Sequence, residues 1–317
     1  MTKHLLGLGA LFAVGLAYPL IFPGYLTVAI TILLFAGWAT AWDLLGGWNG
    51  QVSLGHASFV GLGAYFVAIG QSQFGLAPWW AMILAALFAA ALGYVWGRLT
   101  FSLRGPYFSL STIAVAEILR LIAINEGWLT GGATGVFIAT LPEPFGADLF
   151  SRTTQFYMAL AFAGVAIATV IVLSRARFGY QLRAVREDED SAMAAGIDPT
   201  ATKLKAFMLS AALTAIGGGV YGIVLAFIEP HVIFSLLLSV QIALTAIIGG
   251  RGTIWGPAVG ALVLIGAGEM FRTTFAEANL LIYGILILVV VLFVPRGIVG
   301  ELARRHIRRL YAKRAQG

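Results

Sequence analysis

The chain has 317 residues, of which 60% are hydrophobic and only 11% charged, and its formal net charge is +6. A soluble globular domain usually contains about 25% charged residues, so this composition excludes an ordinary soluble fold. The chain has no cysteine, which excludes disulfides and thiolate chemistry.

Apolar stretches of membrane-spanning length recur along the chain. Since about 20 apolar residues cross a bilayer as a helix, we predict an all-α, polytopic transmembrane helical bundle of about 8–10 spans. The predicted spans are 5–22, 25–45, 52–70, 78–97, 107–124, 155–173, 204–228, 236–249, 254–270 and 279–294. The first has a cleaved signal peptide as its rival interpretation, but its length favours a retained helix.

Basic residues are unevenly divided among the loops. With the N-terminus inside, the inside segments hold all of the 20 Lys and Arg residues except Arg120, Arg152 and Arg272. These segments are 46–51, 98–106, 174–203, 250–253, the tail after 294 and the residues flanking them. Because Lys and Arg concentrate in cytoplasmic loops, we predict ten spans in the cell inner membrane with both termini cytoplasmic. The positive charge then needs no nucleic-acid partner, and the basic tail 295–317 is expected to attract membrane lipid.

A glycine-rich block, 46–65, interrupts the early hydrophobic stretches, and a second block, 248–261, interrupts the late ones. Broken spans often mark a substrate path, and irregular backbone at membrane depth lies against protein or a water-lined cavity. We therefore predict that four polar residues lie near a translocation pathway or its cytoplasmic gate: Asn49, Gln51, Ser53 and His56. The alternative is simple helix packing through the glycines of the block.

Two opposite charges fall within one predicted span. Glu117 and Arg120 are three residues apart, so they share a helix face and can pair. Charges inside a membrane are functional candidates by default, and a structural ion pair is the equal alternative. The four His residues are scattered, without metal-ligand spacing, and we expect neither a metal nor a cofactor.

The inside segment 174–203 is long for a loop of a membrane protein. Its middle, Gln181–Ala195, lacks Gly and Pro and is predicted to be a helix that ends at Gly196. Its apolar face consists of small residues: Ala184, Val185, Ala192, Ala194 and Ala195. A helix on a lipid surface prefers bulky apolar residues, so the pattern favours docking on another protein over a lipid-bound helix or a plain connector.

Three stretches together resemble the branched-chain amino acid permease family of the Liv type, a family of ABC importers. They are R-A-V-R-E-D-E-D-S-A-M-A-A-G-I-D-P in the inside loop, G-G-W-N-G-Q-V-S-L-G-H from Gly46, and I-G-G-R-G-T-I-W-G-P-A-V-G-A from Ile248. The resemblance implies a single transmembrane permease domain over 1–317, with 174–203 as the cytoplasmic coupling loop. It also implies ATP-binding cassette ATPase subunits, a second related permease and a periplasmic solute-binding protein as partners. By the same resemblance, the ATPase-coupling residues are Arg186, Glu187, Asp188, Ala195 and Gly196.

The chain lacks the sequence features of a motor or an enzyme. A phosphate-binding loop of the G-x-x-x-x-G-K-[ST] type needs a lysine after a glycine, and no lysine here follows one. The chain is therefore not expected to be an enzyme, and ATP hydrolysis is assigned to another chain. Branched-chain amino acids are the expected substrates, with urea, short amides or another small organic solute as alternatives. An ion-coupled secondary transporter that uses Glu117 is the rival class.

Overall fold

The computed structural model describes residues 2–101, 106–138, 148–274, 284 and 297–301. These residues fold mostly into α-helices, joined by short turns and one pair of two-residue strands. The helices are α1 (Thr2–Ile21), α2 (Leu26–Gly46), α3 (His56–Phe74), α4 (Pro78–Thr100), α5 (Pro106–Asn125), α6 (Gly127–Thr130), α7 (Arg152–Leu173), α8 (Arg177–Glu187), α9 (Glu189–Ala194), α10 (Pro199–Leu225), α11 (Pro230–Ile233), α12 (Leu236–Gly249) and α13 (Gly256–Thr274). The strands β1 (Val136–Phe137) and β2 (Phe227–Ile228) pair antiparallel, with Val136 opposite Ile228.

Seven helical segments in the described part of the chain are long and apolar enough to cross a membrane. They contain α1, α2, α4, α5, α7, α10 and α12, which confirms the prediction of an all-α, polytopic bundle. Helices α3 and α13 lie at the predicted spans 52–70 and 254–270. Neither is among the seven segments. Helix α3 ends in the polar run Gln71–Gln73, and the apolar part of α13, Gly256–Glu269, is short. The predicted span 279–294 lies outside the described residues except for Gly284, so a total of ten spans stays a prediction.

Side-chain caps determine where two of the long helices begin. Ser151 Oγ accepts a hydrogen bond from the N–H of Thr154 at 3.2 Å at the start of α7. Asp198 Oδ1 accepts one from the N–H of Ala201 at 3.0 Å at the start of α10. These bonds satisfy N–H groups that have no partner within the helix. Pro199, the first residue of α10, has no N–H to satisfy.

Helices α2 and α10 form the centre of the bundle. α10 packs against α4, α3 and α2, while α2 also packs against α7 and α13. The ring of Trp38 on α2 is completely buried. Helices α3 and α10 approach so closely that a Cβ on Gly63 would collide with the carbonyl oxygen of Ala215. Small residues at this contact therefore permit the tight packing that is typical of membrane bundles.

The loops divide between two ends of the bundle. At one end, which we call the basic end, Arg186 of segment 174–198 donates to Gly47 of segment 46–55, and Gly252 of segment 250–255 donates to Asp43 near the end of α2. Segments 126–138 and 226–235 are joined at the opposite end by the β1–β2 pair. Three of the loops predicted to be cytoplasmic therefore lie together, as the distribution of Lys and Arg predicts.

Candidate functional site at the basic end

The loop between α7 and α10 forms two helices rather than one. Asp188 has an extended backbone, with φ −162° and ψ 122°, and separates α8 from α9. Its carboxylate caps α9 by accepting a hydrogen bond from the N–H of Ser191 at 2.7 Å. Hydrogen bonds from the Ser191 side chain and backbone hold the pKa of Asp188 below its usual range. An aspartate that caps the next helix competes with continuation of the previous one, so the prediction of a single helix over Gln181–Ala195 is wrong.

Helix α9 ends next to the predicted glycine stop. Gly196 has φ +77°, a left-handed conformation that costs other residues about 1–2 kcal/mol. Its N–H donates to the carbonyl oxygen of Met193 at 2.9 Å, and the N–H of Ile197 donates to that of Ala192 at 2.9 Å. These two bonds satisfy carbonyl groups at the end of α9, as a glycine helix cap does.

The two helices bury one face and expose another. Leu182, Val185 and Ala192 are buried against the rest of the chain. The segment Met193–Gly196, which we name the small-residue patch, is exposed throughout. Of the predicted coupling residues, Ala195 and Gly196 thus lie on a surface that carries no charge. Such a surface can accept an element of another protein.

Arg186 joins α8 to the segment that follows α2. Its Nη1 donates to the carbonyl oxygen of Gly47 at 2.9 Å, and its Nε donates to Glu187 Oε1 at 3.1 Å. Lys203, at the start of α10, forms an ion pair with Glu189 on α9. The predicted coupling residues Arg186, Glu187 and Asp188 therefore lie where the inside loop is attached to the bundle.

A buried carboxylate joins the same segment to the second glycine-rich block. Asp43, near the end of α2, is 1% exposed, and both of its carboxylate oxygens lie 2.9 Å from the N–H nitrogen of Gly252. Its carbonyl oxygen accepts the N–H groups of Gly47 and Trp48 at 2.8 Å. Sequence reasoning did not include Asp43 in the site. The available signal was an acidic residue inside a predicted span, but its partner lies 209 residues away.

The irregular segment 47–55 runs between helices rather than over the surface. Trp42 Nε1 donates to the carbonyl oxygen of Ser53 at 2.7 Å, and the N–H of Leu54 donates to Thr112 Oγ1 at 2.9 Å. Side chains of α2 and α5 thus satisfy backbone groups that no helix satisfies. Irregular backbone at membrane depth needs such partners.

His56, the first residue of α3, is completely buried and connects three helices. Its Nε2 lies 2.8 Å from Ser210 Oγ on α10, and its Nδ1 lies 3.0 Å from Ser53 Oγ. The Ser210 hydroxyl donates to the carbonyl oxygen of Ala41 on α2 at 2.6 Å, so it accepts a hydrogen bond from the ring. This assigns the proton of the neutral imidazole to Nε2.

The four predicted pathway residues lie on one segment but in different environments. Ser53 and His56 are buried and hydrogen-bonded, and Gln51 is half-buried. Asn49 is buried, and neither its Oδ1 nor its Nδ2 has a hydrogen-bond partner among the described residues. Buried polar groups are nearly always paired, so the buried side-chain amide of Asn49 is the exception among the four.

The predicted charge pair, Glu117 and Arg120, lies away from these residues, in the half of α5 that leads to the opposite end of the bundle. Arg120 Nε donates to Glu117 Oε2 at 2.8 Å, and Arg120 Nη1 donates to His231 Nδ1 at 2.9 Å. The side chain of Glu117 is 50% exposed and that of Arg120 is 22% exposed. A charged group facing lipid is costly, so this face of α5 needs water or protein beside it. No group of three His, Cys, Asp or Glu within the described ranges is placed to hold a metal ion.

The described residues thus form a polytopic bundle of apolar helices with an exposed two-helix loop at its basic end. The chain belongs to the family described as the permease component of the branched-chain amino acid transport system, which matches residues 21–291. This confirms the resemblance found in the three sequence stretches.

Individual members of the family are similar to the chain over most of its length. The high-affinity branched-chain amino acid transport permease LivM of Salmonella typhimurium is 27% identical over 322 residues, covering 94% of this chain and 75% of that protein. LivM of Escherichia coli has the same identity and coverage. The permease BraD of Pseudomonas aeruginosa is 28% identical over 296 residues, covering 87% of this chain and 94% of BraD. No solved structure matches the chain.

Proposed function

We propose that this chain is the membrane-spanning permease subunit of an ATP-dependent importer of branched-chain amino acids, which a periplasmic binding protein delivers. The names of the relatives, all branched-chain amino acid transport permeases, support the substrate class. The hydrogen bond between Arg186 and Gly47 is the observation that supports coupling to a motor. It connects the exposed loop 174–203 to the irregular segment inside the bundle.

The partners follow from this assignment. ATP-binding cassette subunits dock on the small-residue patch and hydrolyse ATP, so the permease itself is not an enzyme. The basic end faces the cytoplasm, and the protein lies in the inner membrane with both termini inside. A second related permease completes the pathway, and the exposed charged face of α5 supports protein or water at that position. The chain acts as one permease domain, with its basic tail 295–317 at the lipid surface.

The gate of the pathway is the segment Asn49–His56. Docking of the motor moves α8, and Arg186 transmits this movement to Gly47, two residues before Asn49. The buried amide of Asn49, which has no partner among the described residues, gains one when the segment moves. Ser53 and His56 keep the far end of the segment attached to α10.

Ion coupling is less well supported than ATP coupling. A proton- or ion-coupled transporter needs an acidic group that is free to titrate in the membrane. Glu117 instead receives hydrogen bonds from Arg120, so its carboxylate oxygens already have a partner. The contact with Arg120 therefore favours a structural ion pair over an ion-coupling role for Glu117.

The first experiment measures uptake of radiolabelled leucine by cells with and without the gene. Unlabelled valine, isoleucine, urea and a short amide serve as competitors. We expect uptake to depend on the gene, to fall when cellular ATP is depleted, and to be inhibited by valine and isoleucine. Unchanged leucine uptake would reject the substrate class, and labelled urea and amide would then be tested. Loss of uptake with a protonophore at preserved ATP would favour ion coupling.

Matched variants separate the coupling role from general effects of charge. Arg186→Ala removes the bond to Gly47, and we expect it to lower ATP-dependent uptake strongly. Arg177→Ala removes an exposed arginine from the same helix, and we expect uptake to be retained. Equal uptake by the two variants would contradict the proposed connection.

A further inference from the structure

A cavity of about 400 Å³ lies at the basic end, beside the start of α1. Its wall includes Arg175, Arg183 and His4, together with the rings of Trp48 and Trp255. No Asp or Glu is among the described residues that line it. The cavity thus combines positive charge with aromatic walls, and the proposed transport function does not use it.

The guanidinium group of Arg183 is held in place without an acidic partner. It lies 4.8 Å from the ring centroid of Tyr180 and 5.3 Å from that of Trp48, and its Nη2 donates to the carbonyl oxygen of Ser174 at 3.2 Å. The ion pairs of the described residues include neither Arg183 nor Arg175. Two such groups beside one cavity are suited to a phosphate, because guanidinium binds phosphate oxygens through paired hydrogen bonds.

His4 adds an N–H donor to the same wall. Trp255 Nε1 donates to His4 Nδ1 at 3.2 Å, so Nδ1 is the acceptor nitrogen of the ring. In a neutral imidazole the proton then lies on Nε2. The cavity therefore offers N–H groups from both its arginines and its histidine.

The residues around the cavity are of the kind expected at the level of lipid headgroups. Ser174 and Arg175 directly follow α7, and Trp48 comes two residues after α2. Trp residues and basic residues at span ends are typical of the membrane–water interface. Beside the cavity, α1 exposes apolar side chains, with Leu5 44% and Leu6 68% exposed. A ligand of this cavity can therefore extend along a lipid-facing surface.

We propose that the cavity binds the phosphate headgroup of an anionic phospholipid. Basic pockets between membrane helices bind such headgroups. Arg175 and Arg183 hold the phosphate oxygens, and the acyl chains follow the exposed side of α1. Trp48 and Gly252 line the cavity and belong to the segments that Arg186 and Asp43 hold together, so the lipid also braces the basic end. The proposal does not depend on the transported substrate, and its failure would leave the proposed function standing.

Lipid titration of the full chain, purified in detergent with any subunits that co-purify, tests the proposal. The ligands are dioctanoyl phosphatidylglycerol, dioctanoyl phosphatidylcholine and inorganic phosphate. Binding is measured by native mass spectrometry and by the rise in melting temperature. We expect phosphatidylglycerol to bind at least about tenfold more tightly than the other two, as a charge-assisted contact with a lipid anchor requires.

Variants distinguish the cavity from general surface charge. Arg175→Gln combined with Arg183→Gln is expected to weaken phosphatidylglycerol binding by about tenfold or more, since two charged donors are lost. Arg177→Gln, in the same loop but outside the cavity, is expected to change it by less than about twofold. Arg175→Gln alone removes only an exposed side chain and is expected to weaken binding about threefold, so the test remains decisive if the double variant does not fold.

Three outcomes would overturn the proposal. Unchanged binding by the arginine variants would exclude the cavity as the site. An equal loss with Arg177→Gln would indicate attraction to the whole basic surface. Inorganic phosphate that binds as tightly as phosphatidylglycerol would indicate a soluble anion in place of a lipid.

Discussion

Gly196 is the residue at which backbone conformation and proposed docking coincide. Its φ of +77° places it in the left-handed region, and apart from its two chain neighbours, no described residue has an atom within 4 Å of the position that a Cβ would take. A side chain at this position would therefore strain the backbone without a clash inside the chain. It would also project from the small-residue patch on which the ATPase is proposed to dock.

We expect Gly196→Val to uncouple ATP hydrolysis from uptake while the protein remains folded. The left-handed conformation would cost valine about 1–2 kcal/mol, enough to change the end of α9 but not to unfold the bundle. Gly196→Asn is the matched control, because asparagine tolerates this conformation better than other residues. Uptake and ATPase activity would be measured in the purified complex. Normal coupled transport by Gly196→Val would show that the docking assignment is wrong.

At the scale of elements, the start of α3 is held by a hydrogen-bond network rather than by a side-chain helix cap. His56 connects Ser53 to Ser210, and Ser210 continues to the backbone of α2. The network leaves both ring nitrogens of His56 occupied. His56 is thus suited to holding α2, α3 and α10 together, whereas the sequence left pathway contact and packing as alternatives.

We expect His56→Ala to lower the free energy of unfolding by about 3 kcal/mol, because it leaves a cavity and two buried hydroxyls without their partner. The control is His231→Ala near the opposite end, where the side chain is exposed and the expected loss is below about 1 kcal/mol. Thermal unfolding in detergent would measure both. A pathway role is indicated instead if His56→Ala lowers uptake with an unchanged melting temperature.

Some helices could be predicted from local sequence signals alone, and others could not. Predicted spans 78–97 and 155–173 correspond to α4 and α7 because continuous apolar runs bounded by turn residues specify membrane helices. The break at Asp188 was missed because Asp can either continue a helix or cap the next one. The choice depends on whether its side chain reaches the N–H of Ser191. Glu117 and Arg120 form an ion pair on α5, which a spacing of three residues along a helix permits.

At the scale of the whole molecule, the division into two ends has a direct consequence for topology. The basic end collects segments 46–55, 174–198 and 250–255, and the opposite end collects 126–138 and 226–235. If the basic end is cytoplasmic, every residue of the first set is inaccessible from outside the cell. The absence of native cysteine makes this measurable with single introduced thiols.

We expect Thr134→Cys to react with a membrane-impermeant maleimide in spheroplasts, and Thr200→Cys to react only after permeabilisation. Both threonines are exposed and lie at opposite ends of the bundle. The increase in mass of the purified protein would measure the extent of labelling. The reverse pattern would invert the proposed orientation, and equal labelling of both before permeabilisation would contradict the arrangement of the ends.

The sequence by itself determined the membrane class, the family, most helix positions and the grouping of basic loops. These properties depend on local composition, on periodicity and on short motifs, which act within one helix or one loop. Only the tertiary structure decided that Asp43 meets Gly252, that Arg186 meets Gly47 and that Arg175 and Arg183 share a cavity with Trp48 and Trp255. Each of these contacts joins segments far apart in the chain, and their geometry depends on how the helices pack, which no local pattern specifies.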